Sequence, residues 1–272
     1  MATLKGLFLT LKTTRNFWDA LRLKNSKEKK KMIFRNGCEI ELNWSEYRTV
    51  RDIVSKGYSV EYVDSLLCFK KGKIKVAGPL LHIGVLNERL DEIYCLDCSN
   101  KVVLDVGGFI GETAVFFSAW GAKKVIIYEP VAYNHEFIKT NMALNGINAE
   151  LHEEGIGEKD GYKTIHHDTL GVGFGFKDEG THEMKIKIRN IRSVIDESNA
   201  DIAKFDCEGA ERSLISVPSV SLRRIGFYII EVHTPKIKKA LINKFKSSGF
   251  DLIKDLPNET DEKVSVIFFQ KN

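Results

Sequence analysis

The 272-residue chain predicts an α/β protein built on an open, largely parallel sheet, and three observations carry that prediction. Beyond about residue 100, apolar runs of strand length alternate with helical segments. Residues 101–129 read as an apolar strand, a glycine turn opening at Asp105-Val106-Gly107-Gly108, a helix, and a second apolar strand that ends on Glu129. A second acidic glycine turn, Asp206-Cys207-Glu208-Gly209, follows another apolar run and opens a helix.

In chain order, residues 1–31 read as a basic helical arm, residues 32–85 as a small β-rich cap, and residues 86–272 as the domain that carries the sheet. In the cap, alternation around Asn36-Gly37 signals a hairpin, Trp44 to Ser55 a helix, and residues 68–85 two short strands. In the large domain, strands fall near 101–106, 124–128, 149–154, 201–206, 225–232, 250–255 and 264–270. Helices fall near 111–119, 131–145, 209–216 and 235–248, and the last two strands read as a hairpin. An inserted ribbon occupies about 160–190, from 162–167 and 184–188. Its connection, residues 169–176, has glycine at alternate places and reads as a flap over an acceptor, or as a plain surface loop.

The glycine turn narrows the ligand. Gly107, Gly108 and Gly111 are spaced G-G-x-x-G, unlike the G-x-G-x-x-G of a dinucleotide turn, and no Lys-Ser/Thr follows to make a phosphate-cradling loop. Asp105 would repel a pyrophosphate and attract an ammonium. Glu129 is placed to accept hydrogen bonds from ribose hydroxyls. One acid for an amine and one for a ribose fit S-adenosylmethionine better than NAD. An ordinary α/β turn with a capping Asp is the alternative.

In open α/β sheets, ligands gather at the C-terminal ends of the parallel strands. Four turns fall on that edge: Asp105 with its glycines, Glu129, Asp206 to Glu211, and Glu231 with His233. His233 is the leading general-base candidate because imidazole titrates near neutrality, with Asp206 or Glu208 as alternatives. Asp206 could instead orient the acceptor hydroxyl or the cofactor amine. For Glu211, in the first turn of a helix, a favourable dipole interaction is a sufficient role. Asp206, Glu208 and His233 could hold a divalent ion such as magnesium. No dense acidic cluster is visible, so no metal ligand is assigned.

The segments DVGGFIGET, YEPVAYNHEFIKTNMALNGI, KFDCEGAE and IIEVH together resemble the FkbM-type S-adenosylmethionine-dependent methyltransferases, over roughly residues 80 to 270. One departure is Gly108-Phe109, where that family usually reads Gly-Ala-Asn before the last glycine; Phe109 takes away a polar side chain near the methionine end. The resemblance implies a class I methyltransferase fold: a Rossmann-like seven-stranded sheet with its last strand antiparallel and helices on both faces, here with a small N-terminal α+β extension. It implies that Gly107, Gly108 and Gly111 line the methionine and ribose, with Glu112 and Thr113 at the helix start. Pro130 and Val131 would flank the adenine, and Gly155-Ile156 would add the next contact. The acceptor it implies is a hydroxyl of a sugar, a glycan or another small metabolite.

Composition sets the remaining expectations. With 43% hydrophobic residues and 5 prolines the chain is an ordinary globular one, and it has no uninterrupted apolar run of membrane-spanning length. No apolar stretch with a small-residue cleavage site opens it, and five scattered cysteines suit a reducing compartment, so a cytoplasmic protein is expected. Cys95-x-x-Cys98 could be half of a zinc site, but no second pair or nearby histidine completes it, so the two read as buried thiols at a helix end. The net charge of +4 is uneven: residues 1–35 hold ten lysines and arginines against Asp19 and Glu28. A solvated helix, a peripheral contact with anionic lipid through residues 1–31, and nucleic-acid contact compete for that arm. Two other functions compete with O-methylation. A tRNA methyltransferase is one, but Asp206-Cys-Glu-Gly lacks the proline turn and stacking aromatic of base N-methylation. A non-catalytic interaction module is the other.

Overall fold

The computed structural model describes residues 4–167, 182–258 and 261–272. The glycine-rich segment 169–176 lies outside them. The chain divides into two compact units, Met1–Glu92 and Ile93–Asn272.

The first unit opens with helices Leu4–Thr13 and Phe17–Leu23, followed by the hairpin Lys30–Ile33 with Glu39–Leu42. Gly37, at φ 92°, takes the left-handed turn conformation that an Asn-Gly hairpin needs. Asn43 starts helix Trp44–Ser55 through a reciprocal box: its side chain accepts from Glu46 N at 3.0 Å, and Glu46 accepts from Asn43 N at 2.8 Å. That helix buries Tyr47, Val50 and Ile53, and the Tyr47 hydroxyl meets Thr14 Oγ1 at 2.9 Å. Of the range 68–85 expected as two strands, the first half holds them, Leu66–Lys71 and Ile74–Gly78, with Ser59–Val63 as a third in their antiparallel sheet, whereas the second half is corrected to the helical turns Leu80–Ile83 and Gly84–Asn87.

The second unit is the seven-stranded sheet. Its strands are β1 (Val102–Val106), β2 (Lys124–Tyr128), β3 (Ala149–His152), β4 (Ile202–Phe205), β5 (Phe227–Val232), β6 (Phe250–Pro257) and β7 (Ser265–Lys271). They run in the order β6-β7-β5-β4-β1-β2-β3. β1 pairs parallel with both β2 and β4, and β7 is antiparallel to both β5 and β6. The chain therefore leaves β1 toward β3 and returns on its other flank at β4. In open α/β sheets a reversal of this kind marks where ligands bind, here beyond the carboxyl ends of β1 and β4.

Around the sheet lie helices α1 (Glu112–Ala119), α2 (Ala132–Asn145), α3 (Ile191–Ser198) and α4 (Pro235–Ser247). α3 is absent from the sequence expectation; Asn190 caps it, accepting from Ser193 N at 3.0 Å, and Ile191, Val194 and Ile195 are its buried face. The helix expected at 209–216 is corrected to a 3₁₀ segment, Ala210–Ser216. The hydroxyls of Ser213 and Ser216 bond back to the carbonyls of Ala210 and Ser213 at 2.6 and 2.8 Å, and Pro218 follows closely. Such local bonds compete with the α ladder. The ribbon pairs Gly161–His167 with His182–Asn190, whose end runs parallel to Gly155–Gly157. A second correction concerns the thiols: Cys98 is buried, whereas Cys95 is exposed beyond the helix Leu90–Ile93.

Candidate active site

The centre of the sheet edge is organised by a buried charge. Asp105 on β1 and Lys204 on β4 are cross-strand partners, 0% and 1% exposed. Lys204 Nζ stands 3.1 Å from Asp105 Oδ1, an ion-pair contact outside hydrogen-bond alignment, and donates to Gly107 O at 2.5 Å. Thr113 Oγ1 donates to the other Asp105 oxygen at 2.5 Å. Asp105 thus already has an ammonium, and it belongs to the chain. Burial raises the Asp105 pKa against the opposing pull of Lys204 and Thr113. Burial also works against the Lys204 ammonium, but Asp105, Asp206 and Glu112 outweigh it and hold that pKa above its ordinary value.

The glycine turn closes over this pair. Gly107 has φ 83°, and a Cβ there would fall 1.7 Å from Asp206 O, so the loops after β1 and β4 touch at a point that only glycine allows. Its amide and that of Gly108 donate to Tyr128 O at 2.9 and 3.2 Å. Gly111 begins α1 in the left-handed conformation, and Asn141 on α2 ties the turn down by donating to Ile110 O at 2.8 Å. Phe109, a non-glycine residue at φ 46°, gives its amide to Glu129 Oε2 at 2.9 Å.

Glu129 is 5% exposed and also accepts from Val131 N at 3.0 Å and Asn134 Nδ2 at 3.3 Å. Three of about four acceptor places are filled, leaving one for a ligand hydroxyl. Burial pushes its pKa up to about 7 even though all three donors favour the carboxylate.

Beyond the glycine turn, side chains expected to touch a cofactor are mostly covered. Glu112 and Thr113 are buried in the first turn of α1. Val131 packs with Ile165, Ile186 and Ile188 under the ribbon, and Ile156 lies in the main core. Pro130 and Gly155 do come together: a Cβ at 155 would sit 3.5 Å from Pro130 Cβ.

The loop after β4 carries the second cluster. Glu208 is held at φ 49° and Gly209 at φ 97°. Fully buried Glu211 staples this loop to the end of β5, accepting from Gly209 N at 2.7 Å, His233 N at 3.3 Å and His233 Nδ1 at 3.2 Å. Its role is therefore larger than a dipole interaction. His233 Nε2 faces Glu208 at 3.6 Å and Glu231 at 3.9 Å. Burial disfavours the imidazolium, but the Glu211 hydrogen bond and the charges of Glu211, Glu208 and Asp206 lift the His233 pKa to about 9. The structure thus brings Asp206, Glu208 and His233 to one edge, as expected, and adds Glu211, Glu231 and Lys204. Lys204 had a readable signal: a lone lysine inside the apolar run Ile202–Phe205 needs a buried partner.

Asp206, Glu231 and His233 each offer a ligand atom within 4.8 Å of the others, so Glu231 rather than Glu208 completes that trio. Magnesium prefers about six oxygens, and this trio offers two carboxylates and one imidazole, so the set fits that ion poorly. The same edge fits S-adenosylmethionine better. Glu129 keeps an acceptor place for a ribose hydroxyl, and the Asp206 side chain, 33% exposed and 3.9 Å from Lys204 Nζ, can receive an ammonium.

This chain belongs to the FkbM methyltransferase domain family, whose model matches residues 105–254, more than half of its length. It is an S-adenosylmethionine-dependent methyltransferase. Among solved structures it is similar to a candidate RNA methyltransferase, PH1948 of Pyrococcus horikoshii, at 15% identity and TM-score 0.43, covering 67% of this chain and 83% of that one. SMU.776, a candidate methyltransferase complexed with SAH, is similar at 12% identity and TM-score 0.47, covering 77% of this chain and 57% of that one. The ribosomal protein L11 methylase of Lactobacillus delbrueckii subsp. bulgaricus is similar at 14% identity and TM-score 0.44, covering 72% and 81%. No curated protein matches. Among the described residues, no helix is long and apolar enough to cross a membrane.

Proposed function

We propose that the protein methylates a hydroxyl of a sugar, a glycan or another small metabolite, with His233 taking the hydroxyl proton. The observation that carries this reading is the His233–Glu211 pair at the end of β5, its Nδ1 fixed by a fully buried carboxylate. S-adenosylmethionine, when bound, supplies an electrophilic methyl group. Glu129, Asp206 and the turn Gly107–Gly111 are the residues that would hold it. The chain's own task is to align the acceptor oxygen and remove its proton as the new bond forms.

Glu211 holds the ring so that Nε2 is the nitrogen left to act, and Glu208, Asp206 and Glu231 surround it with negative charge. This fixed-tautomer logic is the one that orients the histidine of a catalytic triad. With a pKa of about 9, the resting ring is protonated at neutral pH, and the basic form grows as pH rises.

The test is kcat/KM against pH, read as S-adenosylhomocysteine release with a panel of hydroxylated acceptors. The wild type is expected to rise with pH toward a plateau above about 9. His233→Gln is expected to lose about 10²–10⁴-fold, and Glu211→Gln to shift the rise to lower pH. A flat profile together with an active His233→Gln variant removes His233 from the chemistry. Turnover of amine acceptors alone removes the oxygen reading.

A further inference from the structure

Helix Leu4–Thr13 is oriented the opposite way from an ordinary surface helix. Its buried residues are Thr10 and Thr13, followed by Thr14, at 3%, 2% and 1% exposure. Leu4, Phe8 and Leu11, at positions i, i+4 and i+7, share one face, and that face is 87%, 65% and 49% exposed. Trp18 on the next helix is 71% exposed.

Several bonds fix this orientation. The threonine hydroxyls are satisfied inside, Thr10 by Gly6 O at 3.0 Å, Thr13 by Leu9 O at 2.8 Å and Thr14 by Tyr47 at 2.9 Å. Arg35 donates its guanidinium to Leu11 O at 2.6 Å and its amide to Thr13 O at 2.9 Å. Turning the helix to bury Leu4, Phe8 and Leu11 would break the bonds to Tyr47 and Arg35, whereas the Thr10 and Thr13 hydroxyl bonds lie within the helix and turn with it. An apolar ridge held outward in water calls for a covering surface.

The charge around the ridge says which surface. Lys5 and Lys12, also seven residues apart, lie on the helix face beside it, and both are exposed. Lys24 and Lys27 are exposed, and these four lysines have no ion-pair partner among the described residues. Lys29 and Lys31, in contrast, are paired with Glu46 and Glu39. Apolar side chains with an aromatic, flanked by unpaired lysines, have the composition of an interfacial helix on an anionic bilayer. A protein partner would be expected to present acids in register with those lysines; a lipid surface needs no register.

We propose that residues 4–31 form a peripheral docking face for anionic phospholipid, with Leu4, Phe8, Leu11 and Trp18 entering the headgroup boundary and the lysines meeting lipid charge. The full chain is tested by co-sedimentation with phosphatidylcholine vesicles with and without phosphatidylserine. Binding is expected only with phosphatidylserine and is expected to fall as salt rises. Leu4→Gln/Phe8→Gln/Leu11→Gln keeps good helix formers at exposed positions, and it is expected to weaken binding about tenfold or more. Lys5→Gln/Lys12→Gln is expected to weaken it and to flatten the salt dependence. Circular dichroism matching the wild type confirms that both variants fold. No binding to phosphatidylserine vesicles, or binding that both variants retain, overturns the proposal. So does a concentration-dependent dimer in light scattering that the ridge variant abolishes, since the ridge would then meet a second copy of the chain.

Discussion

Replacing Lys204 by methionine isolates the energetic weight of the buried pair. Methionine keeps a long unbranched stem, so the substitution removes a charge without opening a large cavity. What remains is Asp105 at 0% exposure with Thr113 as its neutral donor, and Gly107 O without its lysine. Breaking a buried pair from one side costs about 3–5 kcal/mol, because the other charge stays desolvated. Hydrogen exchange is the suitable assay, since it reads the amides of β1 and β4 directly and does not average over two units. At about 1.4 kcal/mol per decade, the slowest of these amides should exchange about a hundred- to several-thousandfold faster.

The pH dependence of that deficit has a definite sign. With the lysine gone, only the Thr113 hydrogen bond offsets the burial that already raises Asp105. Its folded pKa then lies further above the unfolded one, so stability is lost as pH rises and the deficit grows from acid toward neutral solution. In Asp105→Asn/Lys204→Met both charges are gone, and most of the loss should return, leaving about 1–3 kcal/mol for the orphaned Gly107 carbonyl. Equal penalties in the single and double variants would refute the argument, as would a single variant within about 1 kcal/mol of wild type.

Two further outcomes follow from the loops. Gly107 and Gly209 share a left-handed backbone, but a Cβ at 107 meets the Asp206 carbonyl at 1.7 Å, whereas at 209 nothing lies within 4 Å. Gly209→Ala should therefore cost only about 1–2 kcal/mol, and Gly107→Ala more, with loss of S-adenosylmethionine binding by calorimetry; equal effects would show that the loops do not touch. Glu129, with its folded pKa raised from 4.5 to about 7, favours the fold below 4.5 and loses that contribution as pH rises through about 7. The urea midpoint of the wild type should fall across that window more steeply than that of Glu129→Gln, and parallel curves would place the titration elsewhere.

The sheet was legible in the sequence because its evidence is local. β1, the glycine turn and β2 follow from one apolar-glycine-apolar run, and β4 with Asp206-Cys-Glu-Gly from another. The site was legible only as residue types at one edge. Asp105 was read as facing a ligand because its true partner, Lys204, lies 99 positions along the chain, and only strand order makes the two neighbours. His233 was read from an unperturbed imidazole, while its titration is set by Glu211, Glu208 and Asp206 around it. Helix α3 carried its signal in plain view, with Asn190 as cap and Ile191, Val194 and Ile195 at helical spacing, but eight residues gave it little weight beside the ribbon. In the first unit, alternation and charge gave no hint that Thr10 and Thr13 would face inward and Leu4, Phe8 and Leu11 outward, since a helix pattern shows which residues share a face but not which way that face turns.

The place of β7 bears on biosynthesis. Among the described residues, β6 has no sheet neighbour except β7, and β5 has only β4 until β7 arrives. A nascent chain therefore carries the outer flank of β5 unpaired, with β6 unattached, until residues 265–271 have been made. Unpaired strand edges of apolar composition recruit other chains, and β5 reads Phe-Tyr-Ile-Ile-Glu-Val. Assembly of this sheet closes from its interior, with β7 inserted between two strands that preceded it, so translation halted shortly before residue 265 would leave β5 as an adhesive edge.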